Sequence, residues 1–232
     1  MYMFDPGYML IAGIGFLLSF AASSWVKASV KKWSQVPIGR GMTGRDIAQL
    51  ILDSQGIRDV QIEQVPGFLS DHYDPSTRTL RLSPENYSGQ SIAAAGIAAH
   101  EVGHAVQHAD GYWPMTLRQK MVPVANIGTN LGMGMVMVGM FIQAASVAKL
   151  GVILFGGFVL FTLVTLPVEI DASVRARRAL LATGAVNGVE AQGVSAVLTA
   201  AAATYVAAAV TAVMQLLYFA ARAGLLGGRN DD

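Results

Sequence analysis

The chain has 232 residues, of which 53% are hydrophobic and 13% are charged, and it contains no cysteine. An average soluble domain carries roughly a quarter charged residues, so this composition excludes an ordinary soluble globular protein and a disordered chain. The missing cysteines exclude disulfides, iron–sulfur clusters and thiolate metal sites, and the net charge of +1 gives no reason to expect a nucleic-acid partner.

Four stretches without charged residues alternate with charged segments along the chain. Each is as long as the roughly 20 apolar residues that cross the hydrocarbon core of a bilayer as a helix. They predict transmembrane helices at 7–26, 121–145, 150–168 and 204–222. Asp5 precedes the first predicted span, at a position where a cleavable signal peptide would have basic residues. We therefore expect this span to be retained as a membrane anchor. For the alanine-rich residues 191–203, the sequence leaves open whether they lie in the membrane or on it.

Lysine and arginine are concentrated in the segments 27–120 and 169–203. The opposite side of the predicted spans has only Lys149, Arg222 and Arg229. Because basic residues near span ends are retained in the cytoplasm, both segments are predicted to face it. The chain is thus expected to be an α-helical, multi-pass integral membrane protein with about four transmembrane helices.

Segment 27–120 has the mixed pattern of a small α+β domain. In order, it predicts a helix capped by Thr43 and stopped by Gly56, a strand at 60–63, a turn at 71–76, a strand at 77–83 and a helix at 92–109. In the second strand, Arg78 and Arg81 alternate with leucines. Charges along a strand discourage pairing with stray chains, so this strand is predicted to lie at the edge of its sheet.

The predicted helix 92–109 contains the sequence His100-Glu101-Val102-Gly103-His104. Histidines four residues apart lie on one helical face, where both imidazoles can bind one Zn²⁺ ion. Glu101 is placed to act as the general base, because zinc lowers the pKa of a bound water towards about 7 and a carboxylate can accept its proton. This pattern predicts a hydrolytic zinc site.

Such a site needs a third protein ligand and an open position. His108 lies two helical turns from His100, about 12 Å along the axis, so it is a poor candidate. Glu169 directly follows the third predicted span, where a charged residue is costly unless it is used or paired. The residues alone leave two interpretations open: Glu169 is the third ligand, or it belongs with Asp171 and Arg175 to a surface ion-pair network.

Several motifs resemble those of the YugP-like neutral zinc metallopeptidases of bacterial membranes. The resemblance covers almost the whole chain, and it is carried by the stretches 71–75, 80–83, 98–107 and 168–173. More distantly, the chain is similar to the HtpX-like membrane proteases, which are gluzincins. This resemblance implies a zincin-like cytoplasmic domain in a bacterial inner-membrane protein, with one Zn²⁺ held by His100, His104 and Glu169. It also implies that Ala172 lies on a close-packed face, while Ser173 stands where the distant relatives have aspartate.

The resemblance further implies a substrate site, because the substrate backbone of gluzincins lies along an edge strand beside the zinc helix. The matching segment here is Thr77, Arg78, Thr79, Leu80 and Arg81, and a plain structural hairpin is the alternative. An oxyanion-stabilising residue is also expected. The candidates for that role, or for a supporting contact to the ligands, are His72, Tyr73, Ser173, Arg175 and Tyr205.

The sequence therefore predicts a membrane zinc endopeptidase that cleaves membrane or membrane-proximal proteins. The alternative is a non-catalytic membrane scaffold or adaptor with a structural zinc site, in which His108 or Asp171 would complete a four-ligand shell. A metal transporter is disfavoured because the predicted spans contain no histidine, aspartate or glutamate. The expected partners are the bilayer and a peptide or membrane-protein substrate. The glycine- and methionine-rich second span leaves open packing within the chain, a homo-oligomer or a regulatory membrane partner.

Overall fold

The computed structural model describes residues 5–226, which form two compact units. The described part of the first unit comprises residues 5–21, 117–166 and 205–226, and the second unit comprises residues 22–116 and 167–204. Arg229, one of the basic residues used above to predict orientation, lies outside the described residues.

Within residues 5–226, four helical stretches are long and apolar enough to cross a membrane. They are α1 (Pro6–Trp33), the succession of α5 (Trp113–Ile127), a π-helical turn (Gly128–Gly132) and α6 (Met133–Phe141), then α7 (Ala145–Ala182) and α8 (Gly188–Arg222). Each extends past its predicted span: α1 and α7 chiefly at their carboxyl-terminal ends, and the second stretch and α8 at their amino-terminal ends. Polar and alanine-rich flanks retain helical backbone geometry after the apolar stretch has ended, because helix formation does not require apolar side chains. The predicted integral membrane architecture with about four spanning helices is confirmed.

In the first unit, glycines allow α6 and the preceding π-helical turn to approach the start of α7 closely. A Cβ atom added at Gly132 would lie 2.7 Å from the backbone nitrogen of Phe155, and one added at Gly139 would lie 2.4 Å from that of Ala148. Small residues at a membrane-helix interface bring backbones together in this way. The glycine-rich second span therefore packs within the chain.

The second unit contains a three-stranded sheet and three whole helices, besides parts of α1, α5, α7 and α8. The strands are β1 (Gln61–Gln64), β2 (His72–Asp74) and β3 (Thr79–Leu82), and the additional helices are α2 (Gly44–Ser54), α3 (Pro84–Tyr87) and α4 (Ile92–Ala109), with part of α5. The spatial order is β1-β3-β2, with β1 parallel and β2 antiparallel to β3. A small α+β part, as predicted, is therefore present.

The edge-strand prediction for residues 77–83 was wrong, because β3 is the central strand. Arg81 tolerates this position because it forms ion pairs with residues on both neighbouring strands, Glu63 at 3.4 Å and Asp74 at 3.2 Å. The charge that suggested an edge is thus neutralised across the sheet. Pairing between strands depends on partners distant in sequence, which the local alternation of leucine and arginine does not reveal.

The strand boundaries also differ from the prediction. Residues 72–74 form β2, and the turn comes later, at 75–78, so Thr77 and Arg78 lie in the turn. The Asp74 carboxylate accepts hydrogen bonds from Ser76 and Thr77, which closes the turn. Arg78 has a positive φ of 50° that ends it. An aspartate whose side chain caps a turn can itself be the last residue of the preceding strand. The turn-like composition of residues 71–76 therefore did not indicate that residues 72–74 form a strand.

Helices α2 and α4 both contribute buried side chains to the core of this unit. The capping box of α2 is present as predicted. The side chain of Thr43 accepts a hydrogen bond from the backbone N–H of Asp46, and the side chain of Asp46 accepts one from the backbone N–H of Thr43. Helix α4 has the predicted bounds. It begins after Ser91, whose side chain caps the helix by accepting a hydrogen bond from the backbone N–H of Ala94. The alanine-rich surface of α4 is almost completely buried, which allows close contact with its neighbours.

Candidate metal centre

Helix α4 places His100 and His104 on one face, one turn apart. Their rings meet edge to face with centroids 4.9 Å apart. Both side chains are largely shielded from solvent, at 13% and 9% exposure. The i, i+4 spacing thus produces the paired imidazoles that the motif predicts.

Helix α7 brings Glu169 to the same point. Its Oε2 atom lies 3.2 Å from Nε2 of His100 and 3.5 Å from Nε2 of His104, and its side chain is only 3% exposed. One potential ligand atom from each of the three residues lies within 4.8 Å of the others. Two imidazoles and a carboxylate therefore converge in a buried cluster built from two helices.

The two helices can approach this closely because small residues lie at their contact. A Cβ atom at Gly103 would come within 2.5 Å of the carbonyl oxygen of Ala172. Ala172 is completely buried. Gly103 lies between the two histidines on α4, and Ala172 lies one turn after Glu169 on α7. This close backbone contact is therefore next to the cluster of His100, His104 and Glu169.

The cluster is electrostatically suited to a cation. Burial lowers the pKa of His104, but hydrogen bonding with Glu169 and the charges of Glu101 and Glu169 have the opposite effect and leave that pKa above its ordinary value. Glu101 is itself buried, with 9% exposure. Two carboxylates in a shielded site favour a positive charge beside them, whether a proton or a metal ion.

Each histidine has a polar neighbour at its second ring nitrogen. Nδ1 of His104 lies 3.0 Å from Oε1 of Gln107, which is completely buried, and Nδ1 of His100 lies 3.2 Å from Oγ of Ser173. Because the Nδ1 atoms have these neighbours, the Nε2 atoms are directed towards Glu169 and are the ones available to a metal.

The carboxylates that follow the third span have different partners. Asp171 accepts a hydrogen bond of 2.6 Å from Nε of Arg175, and Arg175 also pairs with Asp110. Glu169 instead faces the two histidines. The ion-pair interpretation thus describes Asp171 and Arg175, whereas the position of Glu169 is that expected of the third ligand.

The other residues predicted for the site lie elsewhere or have other contacts. His72 is exposed at the sheet, with Nδ1 2.8 Å from the carbonyl oxygen of Ser70. The hydroxyl group of Tyr73 lies 2.9 Å from Nδ1 of His108. Arg175 is held by its two carboxylates, and Tyr205 belongs to the other unit. The structure therefore does not single out one of them as the oxyanion-stabilising residue.

Comparisons with known proteins bear on what this cluster does. Residues 8–224 match the family described as "Putative neutral zinc metallopeptidase". The chain belongs to this family. It is also 43% identical, over 225 residues, to the "Putative membrane protease YugP" of Bacillus subtilis (strain 168), a match that covers 97% of this chain and 98% of that protein. No solved structure matches the chain.

Membership in the zinc metallopeptidase family agrees with the donor set of the cluster. Imidazole nitrogen and carboxylate oxygen are ordinary zinc ligands, and sites with catalytic zinc use three protein ligands and one open position. Within the described residues, His100, His104 and Glu169 form the group that could hold a metal ion. The residues present therefore fit the zinc ion that the family name implies, and a metallopeptidase function in a membrane-associated protein is supported.

Two residues at the site have roles that the sequence interpretation did not assign. Gly103 provides the close approach of the helices, and Gln107 connects His104 to α7, where its Nε2 donates to the carbonyl oxygen of Val168. Both are spaced with the histidines at helical intervals, since Gly103 is i+3 from His100 and Gln107 is i+3 from His104. This helical spacing is the sequence feature that indicates that both residues lie near the face of α4 that carries the histidines.

Proposed function

We propose that the protein is a membrane zinc endopeptidase of the gluzincin type, with His100, His104 and Glu169 as ligands of one Zn²⁺ ion. The observation that supports this most directly is the convergence of these three side chains in a buried cluster from α4 and α7. Zinc in such a site acts as a Lewis acid towards a substrate carbonyl and lowers the pKa of water to about 7.

Glu101 is the general base in this proposal. It follows His100 directly on α4 and is buried, and its carboxylate makes no hydrogen bond to another residue of the part of the chain that is described. Its negative charge raises the pKa of His104, which supports a position of this carboxylate close to the proposed ligands. A carboxylate in this position can take the proton of the attacking water and return it to the leaving amine.

The alternative of a structural zinc site in a scaffold or adaptor has less support. It requires a fourth protein ligand from His108 or Asp171. His108 is hydrogen-bonded to Tyr73, and Asp171 accepts hydrogen bonds from Gln107 and Arg175. Neither belongs to the ligand group found within residues 5–226. A three-ligand site with an open position is the arrangement of a hydrolase.

The substrate would be a membrane or membrane-proximal protein, bound in extended form along an edge strand. Since β3 is paired on both sides, we assign this role to β2, whose Tyr73 contacts His108 near the end of α4. An extended peptide can add a strand to such an edge by main-chain hydrogen bonding. We further propose that the metal centre faces the cytoplasm, because lysine and arginine are concentrated in segments 27–120 and 169–203, which contribute its residues.

The test is proteolysis by the purified full-length protein in detergent, loaded with zinc and mixed with an unfolded protein substrate such as casein. Glu101→Gln should bind as much zinc as the wild-type protein but lose at least about 100-fold in cleavage rate, since it cannot accept a proton. Glu85→Gln is the matched control, because Glu85 is an exposed residue of α3 and should leave the rate unchanged.

Two results would contradict the proposal. Cleavage by metal-loaded Glu101→Gln at the wild-type rate would remove Glu101 from the mechanism. Absence of zinc from the wild-type protein, measured by elemental analysis after purification in zinc-containing buffer, would reject the metal site itself.

A further inference from the structure

The amide of Gln107 occupies a fixed orientation between α4 and α7. Its Nε2 group donates one hydrogen bond of 2.8 Å to the carbonyl oxygen of Val168 and another of 2.8 Å to the carboxylate of Asp171. Both partners are acceptors, so the NH₂ end of the amide must face them. Reversing the amide would bring its oxygen against these two acceptors.

This orientation decides which nitrogen of His104 carries the proton. The remaining atom of the amide, Oε1, lies 3.0 Å from Nδ1 of His104 and can only accept. Nδ1 must therefore be protonated and donate to Oε1. In the neutral ring the lone pair is then on Nε2, which is directed towards Glu169.

The arrangement is held in place from further away. Asp171, which fixes the NH₂ end of Gln107, accepts from Nε of Arg175, and Arg175 is also paired with Asp110 at the end of α4. The chain of contacts begins at the completely buried Gln107 and ends at the largely exposed Asp110. It ties α7 to α4 at two points beyond the ligands.

The other histidine lacks this constraint. Nδ1 of His100 faces the hydroxyl group of Ser173, which can either donate or accept. Ser173 therefore does not select a tautomer of His100, whereas Gln107 does so for His104. The two ligands are supported unequally.

From these contacts we infer that Gln107 is a positioning residue that sets the tautomer and orientation of His104 for metal binding, with Asp171 and Arg175 fixing the direction of its amide. The inference rests on the proposed zinc site. Contacts of this type to metal-ligating histidines change metal affinity by about 10- to 100-fold when they are removed.

The experiment measures Zn²⁺ affinity by competition with a chelator, and the visible spectrum of bound Co²⁺, on full-length protein in detergent. Gln107→Met has a similar volume but no acceptor, so its affinity should fall by about 10- to 100-fold and its Co²⁺ spectrum should change. Asn86→Leu is the matched control. It removes a buried amide of the same unit that donates to Asp71 and Ser83, and it should lower stability without changing metal affinity.

A rescue separates positioning from packing. Gln107→Glu keeps an acceptor for Nδ1 of His104 but places a second carboxylate against Asp171. Adding Asp171→Asn supplies an NH₂ group to that carboxylate, although the carbonyl oxygen of Val168 still faces a carboxylate oxygen. The double variant should therefore bind zinc more tightly than Gln107→Glu and recover part of the wild-type Co²⁺ spectrum, without reaching the wild-type affinity. This comparison remains decisive if Gln107→Met does not fold.

The outcomes distinguish this inference from the proposed function. Wild-type protein that binds no zinc would reject the proposed function. Wild-type protein that binds zinc and cleaves casein, together with Gln107→Met of unchanged affinity, would overturn the positioning role alone. A double variant that binds zinc no better than Gln107→Glu would also overturn it.

Discussion

Glu169 is the residue that α7 contributes to the proposed metal centre, and its surroundings explain why a carboxylate is stable there. It is almost completely shielded, yet it lies within 3.5 Å of both imidazoles. A buried carboxylate is costly unless it is paired or coordinates a metal. The stability of the contact between Glu169 and the two histidines is therefore expected to depend on metal binding, and metal binding on that contact.

Replacing Glu169 by alanine should abolish stable zinc binding, because two histidines remain where three ligands are needed. We expect less than one zinc ion per chain in the purified variant, measured by elemental analysis, and no cleavage of casein. Glu85→Gln should retain full occupancy. Unchanged occupancy in Glu169→Ala would exclude Glu169 as a ligand.

Ser173 should contribute less to zinc affinity than Gln107 does. Its hydroxyl group lies 3.2 Å from Nδ1 of His100 but does not select a tautomer. Ser173→Ala should therefore weaken zinc binding by about tenfold or less, at the lower limit for such contacts. The chelator competition assay that measures Gln107→Met applies here too, and a larger loss for Ser173→Ala than for Gln107→Met would reverse this order.

At the scale of single residues, the sequence indicated which side chains would lie together in the candidate site better than it indicated the contacts that support them. His100 and His104 could be paired by their spacing on a single helix. The contact between Gln107 and Asp171 could not be predicted from spacing, because it joins α4 to a helix that lies far along the chain. The spacing within α4 indicated that Gln107 shares the ligand face, but not what it faces.

At the scale of elements, the contact of α4 with α7 determines the site. Gly103 and Ala172 allow the two backbones to meet beside the ligands, and the carbonyl oxygen of Ala172 is a backbone atom that cannot be displaced by a change of rotamer. Extra volume at this contact must move one helix relative to the other.

Gly103→Ala should therefore destabilise the protein by about 1–3 kcal/mol and weaken zinc binding. Gly96→Ala is a matched control on the same helix, since its Cβ would meet Val194 at an ordinary distance of 3.4 Å. That substitution should be neutral or stabilising, because alanine favours the helix over glycine by about 1 kcal/mol. Thermal unfolding in detergent and chelator competition measure both effects. Equal behaviour of the two variants would contradict the close-contact argument.

Helices were more predictable than strands in this chain. The bounds of α4 followed from its capping serine and its alanine-rich composition, both of which are local. The order β1-β3-β2 depends on pairing across intervening segments, so the central position of β3 was not visible in its own residues. The ion pairs of Arg81 with Glu63 and Asp74 show how a charged strand can nevertheless be central.

For the whole molecule, the question is which side of the membrane the second unit occupies. The lengths of the apolar helices indicate how often the chain can cross but not in which direction. Orientation instead depends on the distribution of lysine and arginine near the span ends. That distribution predicts that segments 27–120 and 169–203 lie on the cytoplasmic side and that the turn between α6 and α7 lies on the other.

The absence of cysteine makes this orientation directly measurable. A single cysteine introduced as Arg58→Cys would lie on the exposed surface of the second unit, and one introduced as Ser146→Cys would be exposed in the first turn of α7. In intact bacterial spheroplasts, a membrane-impermeant maleimide should label Ser146→Cys and leave Arg58→Cys unlabelled.

Permeabilising the same cells should make Arg58→Cys reactive, which shows that its thiol is accessible once the membrane barrier is removed. The unsubstituted chain provides a background without any thiol of its own. Labelling of Arg58→Cys but not Ser146→Cys in intact spheroplasts would reverse the orientation. The metal centre, which lies in the same unit as Arg58, would then face the outside, and its substrates would have to be sought there.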